Sequence, residues 1–112
     1  MSFISYNEFL KAKICVGTIT RAEFKNNLNN PSILLIIDFG NKIGLKKSSA
    51  QLRKNYNCKE LIGKQIIAVL NFPPKQIGDI ISEVLVLGLP DNNNQPILIS
   101  PDLKIKNGEQ IY

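Results

Sequence analysis

The chain has 112 residues, 44% of them hydrophobic and 21% charged, which fits one soluble globular domain over residues 1–112 with a useful but modest core. It contains no histidine, so the commonest general base and the commonest zinc ligand are both missing, and its two cysteines, Cys15 and Cys58, stand in no ligand-like spacing. A net charge of +5 favours anionic partners without choosing a fold.

No metal and no organic cofactor is therefore expected, and both thiols read as inert. Met1 to Lys13 carries Glu8 and lacks the apolar centre and cleavage site of a signal peptide. No stretch is long and apolar enough to span a membrane. The expectation is a cytoplasmic protein without membrane insertion.

In chain order, Ser5-Tyr6-Asn7-Glu8 has the spacing of a capping box opening a short helix, with Phe3, Phe9 and Leu10 expected to fix it to the core. Ile14 to Glu23 reads as a strand, and Gly17 inside it points to a bulge or sharp coiling. Asn26 to Pro31 is a polar turn. Ile33 to Phe39 is an almost unbroken apolar run, the pattern of a strand buried on both faces. After the Gly40-Asn41-Lys42 turn, Ile43 to Ser49 is the next strand.

Asn57-Cys58-Lys59-Glu60 repeats the capped start, and the helix it opens stops at Gly63. Gln65 to Leu70 is a strand. Asn71 to Gly78 is expected as an irregular loop because Pro73 and Pro74 donate no ladder hydrogen bonds. Ser82 to Gly88 and Pro96 to Ser100 read as strands, with turns at Pro90–Gln95 and Asn107-Gly108. Short strands in this order, with one helix before the fourth long strand, predict an all-β, OB-fold Greek-key barrel with short helices.

No catalytic constellation emerges, and the protein is not expected to be an enzyme. Ser48 and Ser49 have no histidine to activate them, the acids are scattered, and there is no glycine-rich phosphate loop. Two segments are chemically unusual. Lys46-Lys47-Ser48-Ser49-Ala50-Gln51 puts two cations and several hydrogen-bonding side chains at a strand end, which is equally the composition of a solvated edge. Asn71-Phe72-Pro73-Pro74-Lys75-Gln76-Ile77-Gly78 combines an aromatic, two prolines and two amides. It is either a stiff connector or a ledge able to hold an extended chain or a stacked base.

These two blocks, with Val16-Gly17-Thr18-Ile19, Ile37-Asp38-Phe39-Gly40, Glu60-Leu61-Ile62-Gly63-Lys64-Gln65 and Ser82-Glu83-Val84-Leu85, resemble the tRNA-binding-domain family, and within it the export-chaperone branch. The likeness runs over nearly the whole chain in order and spacing. It implies an OB barrel, a homodimer, and a non-enzymatic chaperone that binds unfolded precursor proteins for export, with the SecA translocation motor as a further partner. The wider family implies the alternative, tRNA. Its tRNA-binding members carry Arg-Gln and Ser-Gly pairs where this chain has Lys46-Lys47 and Ala50-Gln51, and Ser-Gln-Gly-Met in place of Ser82 to Leu85. Glu83 puts a negative charge where phosphate would lie, and Val84 fills backbone-approach space, so both departures favour peptide over RNA.

On that reading Phe72, Pro73, Pro74 and Ile77 form the apolar part of a peptide site. Ser48, Ser49, Gln51, Asn71, Gln76 and Ser82 supply its polar contacts. The RNA alternative uses Lys46, Lys47, Ser48, Asn71, Lys75 and Ser82. Phe3 to Leu10 and Ile97 to Ile111 are expected at the dimer interface, because a barrel of this size leaves apolar residues at both ends.

Overall fold

A computed structural model describes residues 1–27 and 30–112, and its first element is the helix that Ser5 starts, α1 (Tyr6–Leu10). The capping box is closed in both directions: the Glu8 N–H donates to Ser5 Oγ at 3.0 Å and the Ser5 N–H to Glu8 Oε1 at 3.0 Å. The expected anchoring in the core is not seen. No residue of α1 is buried, Phe9 and Leu10 are half-buried, and Phe3 is 94% exposed. A helix of little more than one turn fans its apolar side chains out instead of gathering them into a stripe.

The strands follow as β1 (Ile14–Asn27), β2 (Asn30–Asp38), β3 (Leu45–Ala50), β4 (Gln65–Val69), β5 (Lys75–Ile77), β6 (Ile80–Ser82), β7 (Leu85–Val86), β8 (Gly88–Pro90) and β9 (Pro96–Leu98), with α2 (Cys58–Leu61) between β3 and β4. Five of them form an antiparallel sheet ordered β3-β2-β1-β4-β7, and the sheet curls until β3 meets the β6–β7 segment. This is the expected OB-type Greek-key barrel, nearly closed, with the helix in the expected place. The second capping box is also present, between Asn57 and Glu60.

The long strand β1 serves both halves of the barrel. Ile14 to Thr18 pairs with β4, and from Thr18 onward β1 pairs with β2. The register shift lies between Ile19 and Arg21, not at Gly17 as expected. There the Ile19 N–H donates to the Lys64 carbonyl at 2.9 Å and its own carbonyl accepts the Gly63 N–H at 2.8 Å. Gly17 has a different role, close packing: a Cβ there would lie 2.7 Å from Ile37 Cγ2 and from the Phe39 ring. The tip of the expected Asn26–Pro31 turn, at residues 28 and 29, falls outside the described residues. The residues flanking it belong to β1 and β2.

Strand β2 is not buried on both faces. Ile33, Leu35, Ile37 and Phe39 line the core with Ile19, Leu52, Leu61, Ile66 and Val84, whereas Leu34 and Ile36 face outward and are half-buried. An unbroken apolar run does not distinguish the two arrangements. The loop expected over Asn71–Gly78 contains β5, which makes a hairpin with β6 in the register Ile77↔Ile80 and Lys75↔Ser82. Gly78, at φ 63°, takes the first position of its two-residue turn, where a positive φ is needed. The single strand expected from Ser82 to Gly88 is broken, because Val84 turns into the core between β6 and β7.

The end of the chain runs beside the start of β1. Gly108 donates to the Val16 carbonyl at 2.8 Å, Val16 to Glu109 at 3.0 Å and Ile111 to Ile14 at 2.8 Å. Among the described residues no helix is long and apolar enough to cross a membrane.

Candidate binding groove

The barrel closes at a seam of hydrogen bonds between β3 and residues 82–84. The Glu83 N–H donates to the Lys47 carbonyl at 2.8 Å, and the Glu83 carboxylate accepts the Lys47 N–H at 2.9 Å. Ser48 Oγ donates to the Val84 carbonyl at 3.2 Å. Ser82 Oγ accepts the Ser49 N–H at 3.2 Å and lies 3.1 Å from that same carbonyl and 3.3 Å from Ser48 Oγ. Ser49 Oγ donates to Ser32 Oγ at 3.2 Å.

Beside this seam lies a groove of about 350 Å³. One wall is the end of β3 with Leu52, and another is the Phe72-Pro73 ledge with the β5–β6 hairpin. The third is made by Leu85, Val86 and Leu87 with Pro96 and Leu98 from the β8–β9 hairpin. Of the residues nominated from the sequence, Ser48, Ser49, Gln51, Phe72, Pro73, Lys75, Ile77 and Ser82 come together on these walls. Phe72 is 53% exposed, so its ring is on the groove and not in the barrel.

The other nominated residues lie elsewhere. Asn71 Oδ1 accepts the Lys13 N–H at 2.8 Å and its Nδ2 donates to the Lys11 carbonyl at 2.7 Å, so the amide clips the α1–β1 connection to the end of β4. Gln76 is exposed, and its Nε2 donates to the Gly78 carbonyl at 3.1 Å. Alternation along β5 gives Lys75 and Ile77 the face shared with buried Ile80 and Ser82, and gives Gln76 the opposite one. Pro74 is exposed and off the walls. Lys46 and Lys47 are also off the walls and, as neighbours on β3, point to opposite faces of the sheet.

Among the wall residues that sequence reasoning missed are Leu52, Glu83 and an apolar set made of Leu85, Val86, Leu87, Pro96 and Leu98. Their apolar character was visible, but nothing local said which face β7 to β9 would present. Leu98 is braced from behind: its N–H donates to Tyr56 Oη at 3.0 Å, and Asn55 Nδ2 donates to Asp91 Oδ2 at 2.9 Å. The Gln95 N–H and then the Asn55 amide hold the Asp91 carboxyl below its ordinary range, opposed by burial and aided last by the Asn93 N–H. Away from the groove, the Arg53 guanidinium sits 4.3 Å from the Phe24 ring centroid on the β1–β2 arm. Burial pushes the Cys15 thiol up, the nearby Lys13 charge only partly opposing it. Among the described residues no cluster of three or more His, Cys, Asp or Glu side chains forms a metal-binding group.

The barrel has close counterparts among solved structures. A structure of the chaperone CsaA from Bacillus anthracis superposes with a TM-score of 0.90 at 43% identity, covering 99% of this chain and 100% of that one. The CsaA chaperone from Picrophilus torridus gives a TM-score of 0.88 at 46% identity over 98% of this chain and 100% of its own. A methionyl-tRNA synthetase-related protein from Pyrococcus horikoshii gives 0.85 at 26% identity over the full length of both. The methionine–tRNA ligase of Porphyromonas gingivalis is 29% identical over 108 residues, 96% of this chain. The chain spans only 15% of that ligase's length, so the likeness is to one small part of it. Residues 14–110 match the tRNA-binding domain family. This chain belongs to that family, in the branch that holds the CsaA chaperones.

Proposed function

We infer that the protein is a non-enzymatic chaperone of cytoplasmic precursor polypeptides, holding their exposed apolar segments before export. The observation that carries this is the groove's chemistry. Leu52, Phe72, Pro73, Ile77, Leu85 and Leu98 give it apolar walls, and Glu83 adds a carboxylate where a phosphate-binding site needs cations. Affinity comes from burying apolar side chains, with two prolines keeping the ledge rigid at little entropic cost. The resemblance to CsaA chaperones at 43–46% identity supports the same reading. No nucleotide enters the scheme, so binding is passive, and SecA is the onward partner the resemblance implies.

The working unit is a homodimer. Phe3, Tyr6, Leu103, Ile111 and Tyr112 are all exposed in the single chain, which leaves apolar surface at both ends of the chain to be covered. Two grooves on one dimer add avidity for a long unfolded chain.

A second reading, tRNA binding, is favoured by the family match and the net charge of +5. Salt separates the two. Between about 0.05 and 0.2 M salt a binder that contacts several phosphates loses affinity at least about tenfold, whereas an apolar groove does not. Titrating a labelled unfolded precursor and a labelled tRNA against the purified protein across that range decides between them. A tRNA complex that is tight and salt-sensitive, with no precursor binding at any salt, overturns the chaperone reading.

A further inference from the structure

We propose that the groove selects polypeptide segments in which an apolar side chain is flanked by an acidic one, with Lys75 as the partner of that carboxylate. The inference rests on the reading of the groove as a polypeptide site and adds the identity of the preferred segment.

Lys75 is placed for this by the β5–β6 register. It stands opposite Ser82, on the face it shares with Ile77, and lines the groove beside Phe72 and Pro73. The ion pairs found among the described residues are Arg21–Glu23 and Lys25–Glu23, so Lys75 has no acidic partner there. The other ionisable group on the walls, Glu83, has a carboxylate oxygen engaged by the Lys47 N–H. The wall therefore presents an uncommitted cation at the edge of an apolar surface. A lysine stem lies along such a surface while its ammonium group stays in water at the rim. A segment that buries a leucine or valine in the groove brings the side chain of a sequence neighbour to that rim.

The carboxylate is that of an internal Asp or Glu and not a chain terminus. A terminal carboxylate is captured by clustered backbone N–H groups, and the residues next to Lys75 on the ledge, Pro73 and Pro74, have none.

Short labelled peptides with one apolar centre, flanked by glutamate, glutamine or lysine, test this by fluorescence anisotropy against the wild-type dimer and Lys75→Met. At about 0.15 M salt the glutamate peptide should bind the wild type about two- to fivefold more tightly than the glutamine peptide, the range of an exposed ion pair. Lys75→Met should close that gap while still binding the glutamine peptide, and Lys75→Glu should reverse the order of the glutamate and lysine peptides. Equal binding of all three peptides by the wild type overturns the proposal, as does a gap that survives in Lys75→Met. Wild-type protein that binds tRNA and none of the peptides overturns the polypeptide reading itself, a result distinct from equal binding.

Discussion

Glu83 engages both backbone polar groups of Lys47, donating its N–H to the Lys47 carbonyl at 2.8 Å and accepting the Lys47 N–H on its carboxylate at 2.9 Å. The side chain thus takes the place of a missing strand partner where β3 meets the β6–β7 break. A hydrogen bond to a charged acceptor contributes more than a neutral one. Glu83→Ala should therefore destabilise the fold by about 1–2 kcal/mol. Glu83→Gln keeps an acceptor and should cost less than about 0.5 kcal/mol. Thermal melts of the two variants check this, and a Glu83→Ala loss below about 0.5 kcal/mol would mean that the carboxylate does not hold the seam.

Gly17 makes the second test of packing. Because a Cβ there meets Ile37 and two ring carbons of Phe39 at 2.7 Å inside a dense core, the neighbours must shift to admit it. Gly17→Ala should cost about 1–3 kcal/mol, the usual range for overpacking. Urea unfolding should show a lower midpoint with an unchanged slope.

What was legible in the sequence was local. Both capping boxes followed from residues three apart, and the barrel followed from the order of strands and helix. The β5–β6 hairpin was hidden because Pro73 and Pro74 drew the whole stretch into a loop, although Gly78-Asp79 between two isoleucines carries a two-residue turn signal. The site was half legible for a related reason. Phe72, Pro73 and Ile77 were recognisable as surplus apolar groups. The polar residues around them were read as free to meet a ligand, and most of them are engaged by the fold: Ser48 and Ser82 in the seam, Asn71 in the clip on Lys11 and Lys13. Sequence shows that a side chain can hydrogen-bond; only the tertiary structure shows that it already does.

Asp91 ties the pH dependence to the groove's far wall. Its carboxyl is held below the ordinary range chiefly by the Gln95 N–H and then by the Asn55 amide. A depressed value in the folded state favours folding once the carboxyl is ionised. That contribution is complete above the unfolded value of about 3.9 and is lost as pH falls through the folded value. Asp91→Asn should therefore flatten the acid limb of the stability profile while leaving its neutral-pH shape alone. An acid limb identical to that of the wild type would remove Asp91 from the account.

The division of labour on the binding face is tested by two variants on one sample set. Phe72 is half-exposed on the groove, so Phe72→Ala should leave the melting temperature nearly unchanged. Truncating an aromatic anchor costs about 1–4 kcal/mol of binding, so affinity for an unfolded precursor should fall at least about tenfold. Lys46 and Lys47 lie off the groove and on opposite faces of β3, so Lys46→Glu with Lys47→Glu should spare peptide affinity within about twofold. The same double change reverses two cations and should abolish RNA binding if any is present. Because the two side chains diverge, the single variants also carry information: an RNA lying across one face of β3 should respond to one of them and not to the other. A double variant that stays folded yet loses precursor binding would show that the lysines belong to the peptide site, and that the apolar walls alone do not account for it.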